Sequence, residues 1–358
     1  TVTWVPQDEV KRAGHLIARH EGKPGTTKML LIGHLDTVFE PDSPFQEVRR
    51  ISDSVLEGPG IEDDKGGDTI MLSALSAMKA AGTLDDANIV AVLTGDEESV
   101  GDPIEVARAD LIRWGEWADV ALDFEGLAQQ DGKDMGSVAR RSSNSWQLET
   151  SGKEGHSSHI FSTAAGEGAV FEMVRILARF RSELPEPNLT FNVGLIVGGS
   201  LASLDDTGLR GQAAGKTNII PAVAIARGDF RTLTDEQTQR IKAKMEAIVA
   251  EHAPLTGARI SFEQGYPPMA PTAGNRALLA KLNMVNQDLG LEPMGELDPL
   301  KRGAGDISFV ARDVDGLAGF GARGKGAHAP GETIDLDSMI RQAKRAAILM
   351  SRLAAEKR

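Results

Sequence analysis

Three apolar runs in the first 125 residues each end in histidine or acids. Met29-Leu-Leu-Ile passes through Gly33 into His34 and Asp36. Ala87 to Leu93 is apolar but for Asn88 and leads into Thr94-Gly-Asp-Glu-Glu-Ser. Ala118 to Phe124 ends in Glu125, with Asp119 and Asp123 close by. Runs that stay apolar, without alternation, predict strands buried on both faces of an α/β sheet. Ligand sites in such sheets lie at the C-terminal ends of the strands, and each of these runs delivers polar groups there. Between the first two, residues 68–81 predict a buried helix stopped by Gly82. Residues 9–20 alternate only weakly, and His15 and His20 read as surface residues.

From residue 142 the pattern changes. Trp146 to Thr150 alternates as a half-buried strand, and residues 166–180 have helical spacing. Residues 189–197 and 219–230 predict strands, 235–252 a helix and 258–263 a strand. That βαββαβ order is ferredoxin-like. The expected architecture is therefore α/β: a mixed sheet flanked by helices, with an inserted ferredoxin-like α+β domain. Residues 1–141 and 268–358 are expected to form the first domain and 142–267 the insert. The last segment carries Asp306 and Gly326-Ala-His-Ala-Pro-Gly-Glu.

Composition narrows the chemistry. With 41% apolar and 25% charged residues, the 358-residue chain is of ordinary globular type. Its net charge of −13 argues against nucleic acid or an anionic membrane as partner. It has no cysteine, so a metal would have to rest on His, Asp and Glu. No apolar run is long enough to span a membrane. The chain starts at Thr1, close to a strand and without Met, so a preceding segment, a targeting signal included, is expected. The compartment stays open between cytoplasm and periplasm or exterior.

Residues 58–67, Gly-Pro-Gly-Ile-Glu-Asp-Asp-Lys-Gly-Gly, combine four glycines with three consecutive acids. A phosphate-binding loop offers backbone N–H groups to an anion; this loop is itself anionic and suits a cation. His34 and Asp36 project to one face at i, i+2 spacing, an imidazole for a metal and a carboxylate to orient it. Glu97 and Glu98 are adjacent, so one side chain can meet an ion and the other its water. Collected, His34, Asp63, Glu98, Glu125 and His328 make a two-metal set: two imidazoles, two terminal carboxylates and one carboxylate to bridge.

These stretches resemble the co-catalytic di-zinc amidohydrolases that include glutamate carboxypeptidase, acetylornithine deacetylase, succinyl-diaminopimelate desuccinylase and aminoacylase. The matching stretches are Gly33-His-Leu-Asp-Thr-Val, the 58–67 loop, Asp96-Glu-Glu, Phe124-Glu, Gly152-Lys-Glu-Gly-His-Ser, Asn218-Ile-Ile-Pro, Asp229-Phe-Arg and Gly326-Ala-His. They stand in family order over nearly the whole chain, and the loop is most similar to the glutamate carboxypeptidase branch. The resemblance implies two Zn²⁺ per chain, with Co²⁺ or Mn²⁺ as substitutes. It implies that Asp63 bridges the ions, with His34 and Glu125 on one and Glu98 and His328 on the other. Glu97 would be the general base, and Asp36 would orient His34. The insert would be a lid and dimerisation domain. His156 would cross a homodimer interface to the partner's oxyanion, and Asn218 and Arg231 would contact substrate. A cis peptide between Asp63 and Asp64 is implied as well.

There are departures. Gly265-Tyr-Pro-Pro stands where the glutamate carboxypeptidase branch tends to carry Gly-Arg-Pro, so Tyr266 replaces a carboxylate-binding arginine and glutamate preference is not implied. Arg140 and Arg141 are candidates to clamp a carboxylate instead. The family's first helix is missing before Thr1. The leading expectation is a metallocarboxypeptidase acting on small peptides or N-acyl amino acids, cleaving an amide beside a free carboxylate. Alternatives are an N-acyl amino acid deacylase of deacetylase or desuccinylase type, and a catalytically silent dimeric binding module. Nucleotide binding at the loop fails on charge.

Overall fold

A computed structural model describes residues 1–357. Along the chain the principal strands are Val2–Gln7 (β1), Arg12–His20 (β2), Lys28–His34 (β3), Asn88–Thr94 (β4), Val120–Asp123 (β5), Ser143–Gly152 (β6), Thr190–Gly199 (β7), Val223–Arg231 (β8), Thr256–Tyr266 (β9) and Asp315–Ala318 (β10). The principal helices are Lys65–Ala81 (α1), Ala109–Trp117 (α2), Gly168–Glu183 (α3), Asp235–Ala250 (α4), Ala273–Asp288 (α5) and Leu336–Ala355 (α6). The chain forms two compact units, Thr1–Arg140 with the chain from Met269 onward, and Arg141–Pro268.

The first unit is built on a six-stranded mixed sheet in the order β1-β2-β4-β3-β5-β10. Strand β3 runs parallel to β4 and β5, and β10 runs parallel to β5. Strands β1 and β2 add an antiparallel edge. Successive residues of β3 enter different cores. Met29 and Leu31 pack with Ile70 and Met78 of α1 and Met350 of α6, whereas Leu30 and Ile32 pack with Leu111 of α2 and Val310. Both faces are covered, which is why the run is apolar throughout. The strand ends that carry His34, Asp96 and Glu125 consequently point the same way.

A small antiparallel sheet completes the site's frame. Arg49–Arg50, Val55–Glu57, Thr333–Asp335 and Gly324–Lys325 lie side by side, with Thr333 opposite Glu57. It anchors the start of the Gly-rich loop against the segment that follows His328, across more than two hundred residues of chain.

The second unit is an antiparallel four-stranded sheet in the order β7-β8-β6-β9, with α3 and α4 between its strands in sequence. This is the ferredoxin-like βαββαβ arrangement expected of the insert. Its core is Trp146, Leu148, Met173, Phe180, Phe230, Ile241 and Met245. Only one sheet face is covered, so β6 alternates buried and less buried positions. A hairpin of Leu201–Leu204 with Gly211–Ala214 was not expected; Leu201 is 70% exposed and its partners are small, so no apolar pattern marks it. Among the described residues, no helix is long and apolar enough to cross a membrane.

Candidate metal centre

The acidic loop is held by one buried side chain. Glu332 accepts hydrogen bonds from the backbone N–H of Gly60 (2.8 Å) through Oε2, and from Glu62 (2.7 Å) and Asp63 (3.0 Å) through Oε1. Lys65 Nζ donates to Pro59 O at 2.6 Å, closing the turn from the other side. Two glycines are obligatory here. Gly60 adopts a left-handed backbone (φ 61°), and a Cβ on Gly67 would lie 2.0 Å from the Phe124 carbonyl oxygen. The Asp63–Asp64 peptide is cis.

This loop aims the Asp63 carboxylate between two imidazoles. His34 Nε2 lies 2.9 Å from Asp63 Oδ1, and His328 Nε2 lies 2.9 Å from Oδ2. Glu98 Oε2 stands 3.3 Å from the same nitrogen of His328. One ligand atom from each of His34, Asp63 and Glu98 falls within 4.8 Å of the others. Glu125 lies outside that tight group. Its Oε2 is held by Arg140 Nη1 at 2.6 Å and faces Arg302 Nη2 at 3.4 Å.

Asp36 does more than face His34. Its Oδ1 is 3.4 Å from His34 Nδ1, and its two oxygens accept the backbone N–H groups of Glu97 (3.1 Å) and Glu98 (3.0 Å). One carboxylate thus ties the end of β3 to the turn after β4. Beneath that turn lies a buried network. Arg108, with no exposed surface, donates through Nε to Asp306 Oδ1 (2.8 Å) and through Nη1 to Asp96 Oδ1 (2.5 Å). Thr94 Oγ1 donates to Asp306 Oδ2 at 2.6 Å.

The electrostatics fit a cation. Burial would raise the Asp63 carboxyl, but bonds from His328 and His34 outweigh it and hold it well below the usual range. Burial, with Asp63 adding to it, pushes Glu98 up to about 7. Burial also raises Glu97, with Glu125 and Asp306 reinforcing it, and raises Asp64 beside Asp68 and Glu125. The bond to Asp63 lifts His328 to about 9, against its partial burial. Both Asp64 oxygens, Asp68 Oδ1, Glu98 Oε1 and Glu125 Oε1 are buried acceptors with no hydrogen-bond partner among the described residues. Buried acceptors of this kind are unfavourable unless a donor or a cation meets them. Two imidazoles and several carboxylates, with no thiolate, suit a zinc-like or harder divalent ion.

Not every sequence-predicted residue sits in this cluster. His156, Asn218, Arg231 and Arg141 belong to the second unit. There His156 pairs with Ile219 in a two-residue ladder, and its Nδ1 lies 2.8 Å from Ser158 Oγ. The Asn218 carbonyl accepts the Ser157 N–H. Arg231 Nε lies 3.4 Å from Asp229, and Arg141 Nη1 donates to Thr190 Oγ1 at 2.6 Å. Two readings are corrected. His15 is fully buried rather than a surface residue, because Asp96 (3.3 Å) and Gln7 (3.4 Å) meet its two ring nitrogens. Arg140 is not available as a substrate clamp. Its guanidinium binds Asp123 (3.1 Å), Glu125 (2.6 Å) and the carbonyl oxygens of Gly303 (2.9 Å) and Ala304. Glu332 closes the motif that begins at Gly326, but nothing local showed its role, and Arg108 and Arg302 carried no local signal, since each acts on residues far away in sequence.

Comparison with known proteins agrees with this geometry. Residues 30–352 match the model of peptidase family M20/M25/M40. Carboxypeptidase G2 of Pseudomonas sp. is 25% identical over 353 residues, covering 96% of this chain and 78% of that protein. Succinyl-diaminopimelate desuccinylase of Novosphingobium aromaticivorans is 28% identical over 337 residues, covering 91% and 81%. The crystal structure of aminopeptidase PepT from Bacillus cereus superposes with a TM-score of 0.75 at 18% identity, covering 99% of this chain and 89% of that one. With the family model spanning most of the chain over an acid- and histidine-rich centre, the protein belongs to peptidase family M20/M25/M40 and is a metal-dependent hydrolase.

Proposed function

We propose that the chain hydrolyses an amide bond next to a free carboxylate, in small peptides or N-acyl amino acids, with two Zn²⁺ held per chain. The observation that carries the reading is Asp63, which directs one oxygen to each of two imidazoles at 2.9 Å. That is the disposition needed of a bridging carboxylate. His34 and Glu125 would hold one ion, and Glu98 and His328 the other, with Co²⁺ or Mn²⁺ able to replace zinc. When bound, the ions supply a nucleophilic water at neutral pH and polarise the scissile carbonyl.

The chain's own residues do the rest. Glu97 takes the proton from the attacking water and passes it to the leaving amine. Its raised pKa, a result of burial and of Glu125 and Asp306, makes it a willing acceptor. Asp36 orients His34 and fixes the backbone from which Glu97 projects. In the second unit, Arg231, Asn218 and Arg141 are proposed to bind the substrate, a guanidinium suiting its carboxylate. His156 is proposed to serve the centre of the other chain in a homodimer, donating to the developing oxyanion. Mixing His156→Ala with Glu97→Gln under subunit exchange should then restore activity; no recovery would exclude that role. An N-acyl amino acid deacylase is the second reading, favoured by the likeness to the desuccinylase.

The test of the assignment is a pair of variants. Glu97→Gln should lose roughly 10²–10⁴-fold in turnover, or more, with metal content intact. Glu98→Gln should instead lose metal. Equal metal loss in both would show the pair to be wrongly assigned.

A further inference from the structure

Beside the metal centre, within the first unit, lies a recess of about 350 Å³ whose wall includes Asp63 and Glu125. Its other charged groups are Glu62, Arg140, Lys301 and Arg302. Arg140 is committed to Asp123 and Glu125 and offers little to a ligand. Arg302 is held differently. Its Nη1 donates to the Gly126 carbonyl at 2.7 Å, while its Nη2 stands 3.4 Å from Glu125 Oε2, the oxygen whose short partner is Arg140. A neutral carbonyl therefore fixes this guanidinium, and no acid saturates it. Lys301 is exposed at the rim and makes no ion pair among the described residues.

Asp63 and Glu125 are assigned to cations by the proposed function, on which this inference rests. Arg140 is already paired with Asp123 and Glu125, so the cations that a ligand can meet are Lys301 and Arg302, the latter reaching an acid only at 3.4 Å. Leu127 and Leu297 add apolar wall, which suits a short methylene spacer. We propose that this recess is a subsite for a second carboxylate on the substrate, bound by Lys301 and Arg302. The guanidinium supplies a fixed donor plane and the ammonium a mobile point charge, a combination that favours a carboxylate over its amide. The carboxylate can come from a dicarboxylic acyl group or from an acidic side chain.

Two substrate pairs separate these sources on the zinc-loaded full chain. The first is N-succinyl-alanine against its succinamoyl amide, and the second N-acetyl-glutamate against N-acetyl-glutamine. We expect kcat/KM to favour the acid in one pair by about ten-fold or more, the order expected of one charge-assisted hydrogen bond. Lys301→Glu and Arg302→Gln should each bring that ratio towards one. Because the ratio compares two substrates on one protein, partial loss of folding or of zinc cancels. A wild-type ratio near one in both pairs overturns the subsite, and so does a ratio that survives both variants. Absence of turnover across all four compounds and a wider N-acyl and dipeptide panel, at a verified load of two ions, would instead remove the proposed function beneath it.

Discussion

Replacing Glu332 by Gln is expected to loosen the loop that carries Asp63. The carboxylate is fully buried and accepts three backbone N–H groups, those of Gly60, Glu62 and Asp63, at 2.7–3.0 Å. An amide of the same shape keeps one oxygen and turns an NH₂ towards at least one of those donors. Its least damaging orientation keeps the oxygen on Glu62 and Asp63 and leaves Gly60 facing a donor. An unsatisfied buried N–H costs about 1–3 kcal/mol, and the two surviving bonds lose their charge assistance, so the sum is about 2–4 kcal/mol. For a unit of this size that is a fall of roughly 4–16 °C in melting temperature. Calorimetry of the metal-free protein reads the first effect, and hydrogen exchange at Gly60, Glu62 and Asp63 locates it. Zinc affinity, from chelator competition, should fall roughly 10–100-fold, as when other groups that orient metal ligands are removed. An unchanged melting temperature with native exchange at those amides would refute the reasoning.

Two further predictions follow from buried and partly buried charges. Arg108→Met leaves Asp96 and Asp306 without their shared cation and should cost about 3–5 kcal/mol, read as a lower urea midpoint for the first unit; an unchanged midpoint would contradict it. In the second unit, the bond from Arg240, against a small effect of burial and aided by Gln237 and Lys244, pulls Glu186 down to about 2. Its folded pKa lies below the unfolded value, so its stabilisation is full above the ordinary carboxylate range and is lost as pH falls towards 2. The stability gap between wild type and Glu186→Gln should therefore be widest near neutrality and close with acid, and a gap independent of pH would count against the pairing.

Much of the candidate centre was legible because polar groups at strand ends leave local signatures. The apolar runs before His34, Glu98 and Glu125 read as strands since both their faces are covered, and polar groups at their ends are otherwise unfavourable. The insert read equally well, because its one-sided sheet imposes alternation on β6 and β9. What stayed hidden acts across the fold. Glu332 holds a loop some 270 residues earlier in the chain. Arg108 joins Asp96 to Asp306, and nothing near it in sequence marks it as buried. His15 looked like a surface residue because its partners come from β1 and from the turn after β4. The three acids of the loop read as one run, yet the backbone sends Asp63 to the imidazoles and Asp64 into the interior, where it has no exposed surface.

The central claim, a two-ion centre on His34, Asp63, Glu98, Glu125 and His328, is tested most directly by titrating zinc into metal-free protein while following hydrolysis of an N-acyl amino acid and metal bound per chain. The account predicts no turnover without metal and a rise that saturates at about two ions per chain, with Asp63→Asn binding neither ion tightly because it would bridge both. Full activity in protein carrying no divalent metal, or Asp63→Asn that binds and hydrolyses as the wild type does, would contradict it.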